Sequence, residues 1–247
     1  MNLGLTGKRA LVTGASKGIG AATARLLAAE GCDVVIVSRS TGELEKTACE
    51  IAAETSRSVV TCAADLSLSS EIARVAEQYG DVDILVNNAG AIPGGRLGDV
   101  DERTWRAAWD LKVFGYINLT REIFGKMGAR GSGVIVNVIG AAAQIRDPSY
   151  ICGVVGNAAL TAFTMSLGSD SNRVGVRVVG VSPGPVATER LLGLQGSVAS
   201  SSARPFGRAA ETGEIAAAVA FLASPQSGYT SGTVLMVDGG LSARAAA

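Results

Sequence analysis

Short apolar runs rich in Val and Ile alternate along the chain with longer stretches in which apolar residues recur at helical spacing. Each run is continuously apolar, which is typical of strands buried on both faces of a sheet. The pattern predicts seven strands, over Arg9–Val12, Val34–Val37, Val59–Cys62, Ile84–Val86, Val134–Val138, Val176–Val181 and Val234–Val237. Helices are predicted over Ile19–Glu30, Gly42–Glu54, Leu68–Gln78, Glu102–Met127, Ile151–Ser169 and Thr212–Leu222. The repeated β-α-β order predicts an α/β, doubly wound fold with a mostly parallel sheet, right-handed crossovers and helices on both faces.

No fixed-period repeat and no linker divides the chain, so residues 1–247 are expected to form a single domain. One segment, residues 189–204, combines a Gly and Ser cluster with no clear periodicity. In an α/β protein a long segment of this kind is either a flexible loop on the substrate side or an ordinary surface loop. The sequence leaves both interpretations open.

Composition narrows the class of protein. The 22 basic and 22 acidic residues cancel, which gives no electrostatic reason to expect a nucleic acid or an anionic membrane as a partner. The start of the chain lacks a hydrophobic signal core, and no later run is expected to span a bilayer. We therefore expect a cytoplasmic protein.

The chain has no histidine, and its four cysteines form no Cys-x-x-Cys pair. This composition excludes Ser–His triads and argues against a Cys/His metal site, so no metal ligand is predicted. In a reducing compartment each cysteine is expected to be a small buried hydrophobic residue. Cys152 alone lies next to residues with candidate catalytic chemistry.

The first predicted strand runs into the segment Thr13–Gly20, in which Gly14, Gly18 and Gly20 open a predicted helix. Glycines between a strand and a helix allow a tight turn and a close approach of the backbone to a pyrophosphate, which the helix N-terminus also attracts. The spacing is G-x-x-x-G-x-G, and its strand–turn–helix context predicts a dinucleotide site.

Two cations indicate which dinucleotide is preferred. Arg39 follows the second strand, where an Asp or Glu would bind the ribose 2′-hydroxyl of NAD(H). Arg39 can instead pair with a 2′-phosphate, and Lys17 in the glycine turn offers a second cation. NADP(H) is therefore favoured over NAD(H), unless both side chains are simply solvated surface cations.

Several ordered motifs together resemble one enzyme family. Thr13–Gly20, Asp65, Asn87–Gly90 and Pro183–Thr188 are similar to motifs of the short-chain dehydrogenase/reductase family, and the ending Ser231–Gly240 fits as well. The resemblance covers nearly the whole chain, about residues 5–240. It implies a Rossmann fold, a nicotinamide cofactor and hydride transfer to or from a small-molecule substrate.

The resemblance also implies which residues contact the cofactor. Asp65 and Leu66 would flank the adenine, residues 88–90 would line the adenosine ribose, and residues 183–188 would hold the nicotinamide carboxamide and the pyrophosphate. The implied contacts are Gly14, Ser16, Lys17, Gly18, Ile19, Gly20, Arg39, Asp65, Leu66, Asn88, Ala89, Gly90, Asn157, Pro183, Gly184, Val186 and Thr188. Two residues have structural alternatives. Asn87 more readily makes a hydrogen bond between strands, and Asp65 can instead act as an N-cap just before Leu68.

The acid–base residues of the family are changed in this chain. The family uses a Tyr and a Lys four residues apart on one helix face, a Ser at the end of the preceding strand and an Asn on the helix before it. The ammonium of such a Lys lowers the pKa of the phenol from its reference value of about 10. The corresponding positions here are held by Gly153, Asn157, Gly140 and Lys112.

Tyr150 lies seven residues before Asn157, so the two share one helix face two turns apart. The enoyl-reductase branch of the family places its Tyr at this longer spacing, and Pro148–Tyr150 is similar to the local sequence of that branch. Tyr150 is therefore a candidate proton donor. The alternative is an amphipathic residue that caps the start of the helix.

The Lys and the Asn of the family are exchanged between positions 112 and 157. If the helices pack as in the family, Lys112 would supply the cation and Asn157 would bond the nicotinamide ribose. In the alternative, Lys112 extends into solvent. A roomier or differently shaped pocket is also predicted, because side-chain bulk is missing at Gly140, Gly153 and Gly156.

These residues favour an NADP(H)-dependent oxidoreductase with a non-standard acid–base site that acts on a carbonyl, an alcohol or a conjugated double bond. The alternative is a nucleotide-binding protein without turnover, a sensor or a partner subunit. The resemblance also implies a homo-oligomer, a dimer or a tetramer, in which the helices Glu102–Met127 and Ile151–Ser169 pair between subunits. Burial of those helices within one subunit is the alternative.

Overall fold

The computed structural model describes residues 2–189, 191 and 205–245, and its strands fall close to the predicted positions. The strands are β1 Arg9–Thr13, β2 Asp33–Ser38, β3 Val59–Ala63, β4 Ile84–Asn87, β5 Gly133–Val138, β6 Val176–Pro183 and β7 Val234–Val237. Apart from Glu189 and Leu191, the loop predicted on the substrate side at 189–204 lies outside the described residues.

The described strands form one sheet in the order β3-β2-β1-β4-β5-β6-β7, and every neighbouring pair is parallel. The chain builds outward from β1 to β3 and then returns to the other side of β1 with β4. The helices that follow β1 and β4 pack on opposite faces of the sheet, and open α/β sheets bind ligands at such a switch point. The predicted doubly wound Rossmann fold is confirmed.

Helices flank the sheet on both faces. Those found in the described residues are α1 Gly18–Ala29, α2 Thr41–Thr55, α3 Ser69–Tyr79, α4 Glu102–Trp109, α5 Gly115–Arg130, α6 Ala142–Ile145, α7 Ile151–Asp170, α8 Thr212–Ala223 and α9 Leu241–Ala245. The short helices α6 and α9 are absent from the sequence prediction, because so few residues cannot display a helical period.

The helix predicted over Glu102–Met127 is interrupted. After α4, the five residues Asp110–Phe114 form a π-helical turn, and α5 continues from Gly115. A π turn widens the helix locally, so it changes the direction of the side chains it carries, and such turns are frequent at functional sites. Lys112 is the middle residue of this turn.

Successive residues of the central strands supply two separate hydrophobic cores. On β1, Ala10 and Val12 belong to the core shared with α1, α2 and α8, whereas Leu11 belongs to the core shared with α3 and α5. All three residues are fully buried. The continuous apolar runs of the sequence therefore reflect strands that are covered on both faces.

The segment Ile151–Val174, which comprises α7 and the turn after it, is long and apolar enough to span a bilayer, with a mean hydropathy of 1.5. The expectation that no run could do so is therefore wrong. In the structure α7 packs against β6 and α6. Its composition thus matches that of a helix that covers a buried sheet.

A buried hydrogen-bonded chain ties β4 and β5 to α5 and α7. Asn87 Nδ2 donates to Asn137 Oδ1 at 2.9 Å and to Thr120 Oγ1 at 3.0 Å, and Asn137 Nδ2 donates to Thr164 Oγ1 at 2.9 Å. The four side chains are almost wholly inaccessible to solvent. The hydrogen bond between strands that was the preferred interpretation of Asn87 is confirmed. Because these four side chains are hydrogen-bonded to one another, the network fixes α5 and α7 against the sheet.

Candidate active site

In the turn between β1 and α1, backbone segments pack so closely that side chains do not fit between them. Gly14 and Gly18 have left-handed backbones, with φ of 64° and 59°. A Cβ atom built on Gly20 would lie 2.3 Å from the carbonyl oxygen of Gly14, and one built on Gly14 would lie 2.7 Å from the Cα of Ala89. Glycine is therefore required at both positions. The turn presents bare backbone at the N-terminus of α1, as a pyrophosphate site demands.

Side chains from β1 and from the loop after β4 hold this turn in place. Thr13 Oγ1 accepts hydrogen bonds from the backbone N–H groups of Asn88 and Ala89, at 2.9 and 3.1 Å. Asn88 Nδ2 in turn donates to the carbonyl oxygens of Thr13 and Gly14, at 3.0 and 3.1 Å. Two of the predicted cofactor residues thus act first as supports of the glycine turn.

The segment that follows β6 reaches the same turn. A Cβ atom built on Gly18 would lie 3.4 Å from Thr188 Cγ2. A Cβ atom built on Gly184 would lie 2.9 Å from the Cα of Asp238, so this segment is also held closely on its other side. The structure therefore brings Thr188, one of the predicted cofactor residues, against the glycine turn.

Arg39 and Asp65 follow β2 and β3 at the same edge of the sheet. Asp65 Oδ1 accepts hydrogen bonds from the Ser67 backbone N–H at 3.0 Å and from Ser67 Oγ at 2.7 Å. Burial raises the pKa of Asp65, but the hydrogen bonds from Ser67 and the charge of Arg39 outweigh it and leave this pKa below its ordinary value. The N-cap alternative for Asp65 is wrong, since Leu68 holds that position of α3.

Lys17 is already engaged by carboxylates. Its Nζ lies 3.5 Å from Glu43 and 3.3 Å from Glu189, and Ser16 Oγ donates to the same Glu43 carboxylate at 3.1 Å. The hydrogen bond to Glu189 and the charge of Glu43 raise the pKa of Lys17. Two negative charges therefore offset this cation, which weakens the argument that it serves a 2′-phosphate.

Two other predicted cofactor residues are mainly core residues. Leu66 is buried in the core shared with α3 and α5, and Ile19 packs against the core on the opposite face. Their side chains are therefore committed to packing. Any contact that they make with a cofactor must come chiefly from their backbones.

The ring of Tyr150 occupies the space that a side chain at position 153 would fill. A Cβ atom built on Gly153 would lie 2.0 Å from Tyr150 Cε1 and 2.4 Å from Cζ. Tyr150 holds the N-cap position of α7, but its side chain makes no capping hydrogen bond. Tyr150 therefore stands at the helix start as the capping interpretation predicts, although its side chain does not cap the helix, and its ring lies against the residue at which the resemblance expects a tyrosine.

The loop after β4 secures the segment that carries this phenol. The backbone N–H of Gly95 donates to the carbonyl oxygen of Ser149 at 2.7 Å, and Gly95 forms a β-bridge with Tyr150. On the adjoining turn of α7, Trp109 Nε1 donates to the carbonyl oxygen of Cys152 at 3.3 Å. Burial raises the pKa of the Cys152 thiol, so this residue behaves as a packed hydrophobic side chain.

Lys112 extends from the π turn to the end of β5. Its Nζ donates to the carbonyl oxygen of Ile139 at 2.6 Å, next to position 140. Gly90 makes room for it, since a Cβ atom built there would lie 3.0 Å from Lys112 Cδ. The alternative in which Lys112 extends into solvent is therefore wrong.

Asn157 lies beside Gly140. A Cβ atom built on Gly140 would lie 2.8 Å from Asn157 Nδ2. The Asn157 side chain is buried, with only 3% of its surface exposed, and its Oδ1 has no hydrogen-bond partner among the described residues. The amide therefore fills the space of a residue-140 side chain and keeps one acceptor unused by the protein.

Of the two predicted outcomes, a roomier or a differently shaped pocket, the structure favours the differently shaped one. Tyr150 and Asn157 fill the spaces beside two of the three glycines, and a Cβ atom built on the third, Gly156, would lie 3.3 Å from Trp109 Nε1. A missing side chain enlarges a pocket only when no neighbour takes its place, because protein interiors are close-packed.

Sequence reasoning missed three members of this site: Glu43, Trp109 and the carbonyl group of Ile139. Glu43 had a usable signal, since a carboxylate in the first turn of the helix after β2 faces the region of the glycine turn. The carbonyl of Ile139 had none, because every residue carries one. Trp109 had none either, because its partner is the carbonyl oxygen of Cys152, 43 residues away in the chain.

Comparison with known proteins assigns this geometry to a family. A family model described as “Enoyl-(Acyl carrier protein) reductase” matches residues 14–242. A solved structure described as a “short chain dehydrogenase/reductase family protein” is 40% identical, with a TM-score of 0.90 and coverage of 97% of this chain and 99% of that one. The chain belongs to the short-chain dehydrogenase/reductase family.

Named members of the family share this fold over almost the whole chain. The cis-4-hydroxycyclohexanecarboxylate dehydrogenase of Sinomonas cyclohexanicum is 36% identical, over 95% of this chain and 96% of the relative. The structure of L-sorbose reductase from Gluconobacter frateurii, complexed with NADPH and L-sorbose, is 28% identical, with a TM-score of 0.89 and coverage of 98% of each chain. These relatives support a general oxidoreductase role.

The residues present fit a nicotinamide dinucleotide, the cofactor of short-chain dehydrogenases/reductases. The glycine turn carries no side chain at positions 14 and 20, where a Cβ atom would collide with the protein's own backbone, and bare backbone of this kind suits a pyrophosphate. The buried Asn157 Oδ1 lacks a partner in the described part of the chain, and a ribose hydroxyl would supply one.

Gly153→Ala tests whether the position of the Tyr150 ring matters. The added Cβ atom would overlap the ring, so the ring must leave its place. We expect the melting temperature to fall and turnover of the nicotinamide cofactor to drop by about 10-fold or more, since Tyr150, the candidate proton donor, loses its alignment. Calorimetry and steady-state kinetics measure the two effects.

Gly125→Ala is the matched control, because it lies inside α5 and nothing lies within 4 Å of a Cβ atom built there. It is expected to gain about 0.5–1 kcal/mol in the free energy of unfolding and to keep its activity. Equal activity of the Gly153→Ala variant and the wild type would contradict the assignment of the ring position.

Proposed function

We propose that this protein is an NADP(H)-dependent oxidoreductase in which Tyr150 delivers the proton and Lys112 supports it. The observation that carries the proposal is the Tyr150 ring in the space beside Gly153. A phenol in this space supports the acid role, although the residue that the resemblance expects to carry it is a glycine. The substrate is a carbonyl compound, its alcohol, or a conjugated enoyl compound.

When bound, NADP(H) supplies the hydride. The chain has to supply a proton to the oxygen on which negative charge develops. The phenol of Tyr150 is its source, and in alcohol oxidation the phenolate accepts the proton instead. Because the ring packs between α7 and the residues around Trp109 and Ile92, it delivers the proton from a fixed position.

Lys112 makes the phenolate less costly to form. A cation near a phenol favours the charged form of that phenol. The hydrogen bond from Lys112 Nζ to the carbonyl oxygen of Ile139, at 2.6 Å, holds the ammonium at the end of β5. Asn157, at the usual Lys position, then contacts the nicotinamide ribose through Oδ1.

Arg39 is the residue that favours NADP(H), because its charge can pair with the 2′-phosphate. It is exposed at the end of β2, and it contributes to lowering the pKa of Asp65, so its positive charge lies in this part of the site. The Lys17 cation is shared by Glu43 and Glu189 and contributes less. The NADPH complex of L-sorbose reductase supports the same preference.

A second candidate function is cofactor binding without turnover. The observation that favours it is the missing hydroxyl at position 140, where the backbone φ of 134° suits glycine. A protein of this kind would serve as a sensor or as a partner subunit. Both candidate functions predict that the cofactor binds, but only the first predicts turnover, so cofactor affinity and turnover must both be measured.

Tyr150→Phe tests the proposed acid. NADPH oxidation is followed with 4-oxocyclohexanecarboxylate, L-sorbose, a β-ketoacyl thioester, a quinone and an enoyl thioester. We expect turnover of at least one compound, and a loss of about 100-fold or more in kcat for the variant, because only the phenolic proton is removed. The Kd for NADPH, from fluorescence titration, should stay unchanged.

Tyr79→Phe on α3 is the matched control and should behave like the wild type. Binding of NADPH without turnover of any compound would support the second candidate instead. Turnover that survives in Tyr150→Phe would remove the acid assignment and leave the oxidoreductase standing.

Arg39→Ala tests the cofactor preference. We expect the Kd for NADPH to rise about 10- to 100-fold, which corresponds to the free energy lost with one charge-assisted hydrogen bond. The Kd for NADH should change little. Arg103→Ala, an exposed arginine on α4, removes the same charge elsewhere and should change neither value. An equal loss for both cofactors would contradict a role in recognising the 2′-phosphate.

The proposal also places the protein in the cytoplasm as a homo-oligomer. Phe114, Val155 and Met165 are 42–49% exposed on the π turn and α7, which leaves an apolar face for a second copy. Sedimentation velocity is expected to show a dimer or a tetramer. A monomer at micromolar concentration would contradict this part of the proposal.

A further inference from the structure

We propose that the side-chain amide of Asn157 donates a hydrogen bond to the reacting oxygen of the substrate. The inference rests on the proposed function and extends it, because it gives the site a second hydrogen-bond donor besides the phenol. It assigns Asn157 a contact with substrate through Nδ2, in addition to the ribose contact through Oδ1.

The position of the amide is the first argument. A Cβ atom built on Gly140 would lie 2.8 Å from Asn157 Nδ2 and 3.6 Å from Cγ. The nitrogen end of the amide therefore stands where a side chain from the end of β5 would project. A donor at the carboxyl end of a central strand lies where open α/β sheets receive their ligands.

The burial of the amide is the second argument. Asn157 is 3% exposed, and its Oδ1 is buried without a hydrogen-bond partner in the described part of the chain. A buried acceptor without a partner costs about 1–3 kcal/mol, so a group that supplies the missing hydrogen bond is favoured at this position. With the ribose hydroxyl on Oδ1, the amide is held in the orientation that aims Nδ2 at position 140.

The surroundings of the amide are the third argument. Lys112 Nζ bonds the carbonyl oxygen of Ile139, the residue before Gly140, and the Tyr150 ring lies over Gly153, one helical turn before Asn157. An ammonium, a phenol and an amide therefore converge on one edge. A neutral amide cannot give up its proton, but a fixed N–H stabilises the negative charge that develops on an oxygen.

Asn157→Asp is the decisive variant, because it keeps the shape of the side chain and removes its N–H donors. With a substrate that the wild type turns over, we expect kcat to fall about 100-fold or more, the usual effect of removing one such donor. The Kd for NADPH should rise less than about threefold, since an acceptor oxygen remains for the ribose hydroxyl. Asn172→Asp, on an exposed turn, is the control and should keep both values.

A loss of NADPH affinity with kcat preserved would show that Asn157 contacts only the ribose, and it would overturn the proposal. Loss of activity in Tyr150→Phe and in Asn157→Asp together supports both assignments. Full activity of Asn157→Asp alongside an inactive Tyr150→Phe overturns the amide role and leaves the acid in place.

A measurement without turnover separates the amide from the proposed function. In protein labelled with ¹⁵N-asparagine, the Asn157 side-chain signal is assigned by its loss in Asn157→Asp, or in Asn157→Ser if the first variant does not fold. Each ketone of the panel is then added to the complex with NADP⁺, which cannot reduce it. A downfield shift of the Asn157 amide protons supports the proposal even if the protein proves inactive, and no shift with any ketone overturns it.

Discussion

The site depends on one contact, the close approach between the end of β1 and the loop that follows β4. The carbonyl oxygen of Gly14 lies too near Gly20 for any side chain there, and Asn88 binds the turn from the neighbouring strand. The same loop continues to Gly95, whose backbone holds the segment that carries Tyr150. The place of the phenol is therefore linked, through one loop, to a turn that serves the cofactor.

In the proposed acid–base site, three of the family's four chemical groups are present on other residues, and the fourth, the hydroxyl, is missing at Gly140. A phenol, an ammonium and an amide are all present, supplied by Tyr150, Lys112 and Asn157. Each takes up space that another residue has left or opened. The π turn contributes by directing Lys112 toward β5, and the buried network of Asn87 and Asn137 contributes by fixing the helices on which these residues lie.

Most of the fold could be predicted from the sequence, because strands covered on both faces leave continuous apolar runs and the glycine turn has a fixed spacing. The π turn at Asp110–Phe114 could not be predicted, since a shift in backbone hydrogen bonding over five residues leaves the apolar pattern intact. The pairing of Lys17 with Glu43 and Glu189 escaped for a similar reason, because the partners come from separate segments. A sequence shows which atoms are missing at a position, but it does not show which neighbour takes their space.

The overlap between Tyr150 and position 153 also limits how such a site can arise. A chain with a tyrosine at 153 cannot accept the Tyr150 ring in its present place, because even one added carbon would lie 2.0 Å from it. In such a chain the Tyr150 ring would have to adopt another side-chain conformation. The glycine at 153 and the present conformation of Tyr150 therefore depend on each other, so a change at one of the two positions alters the space available at the other.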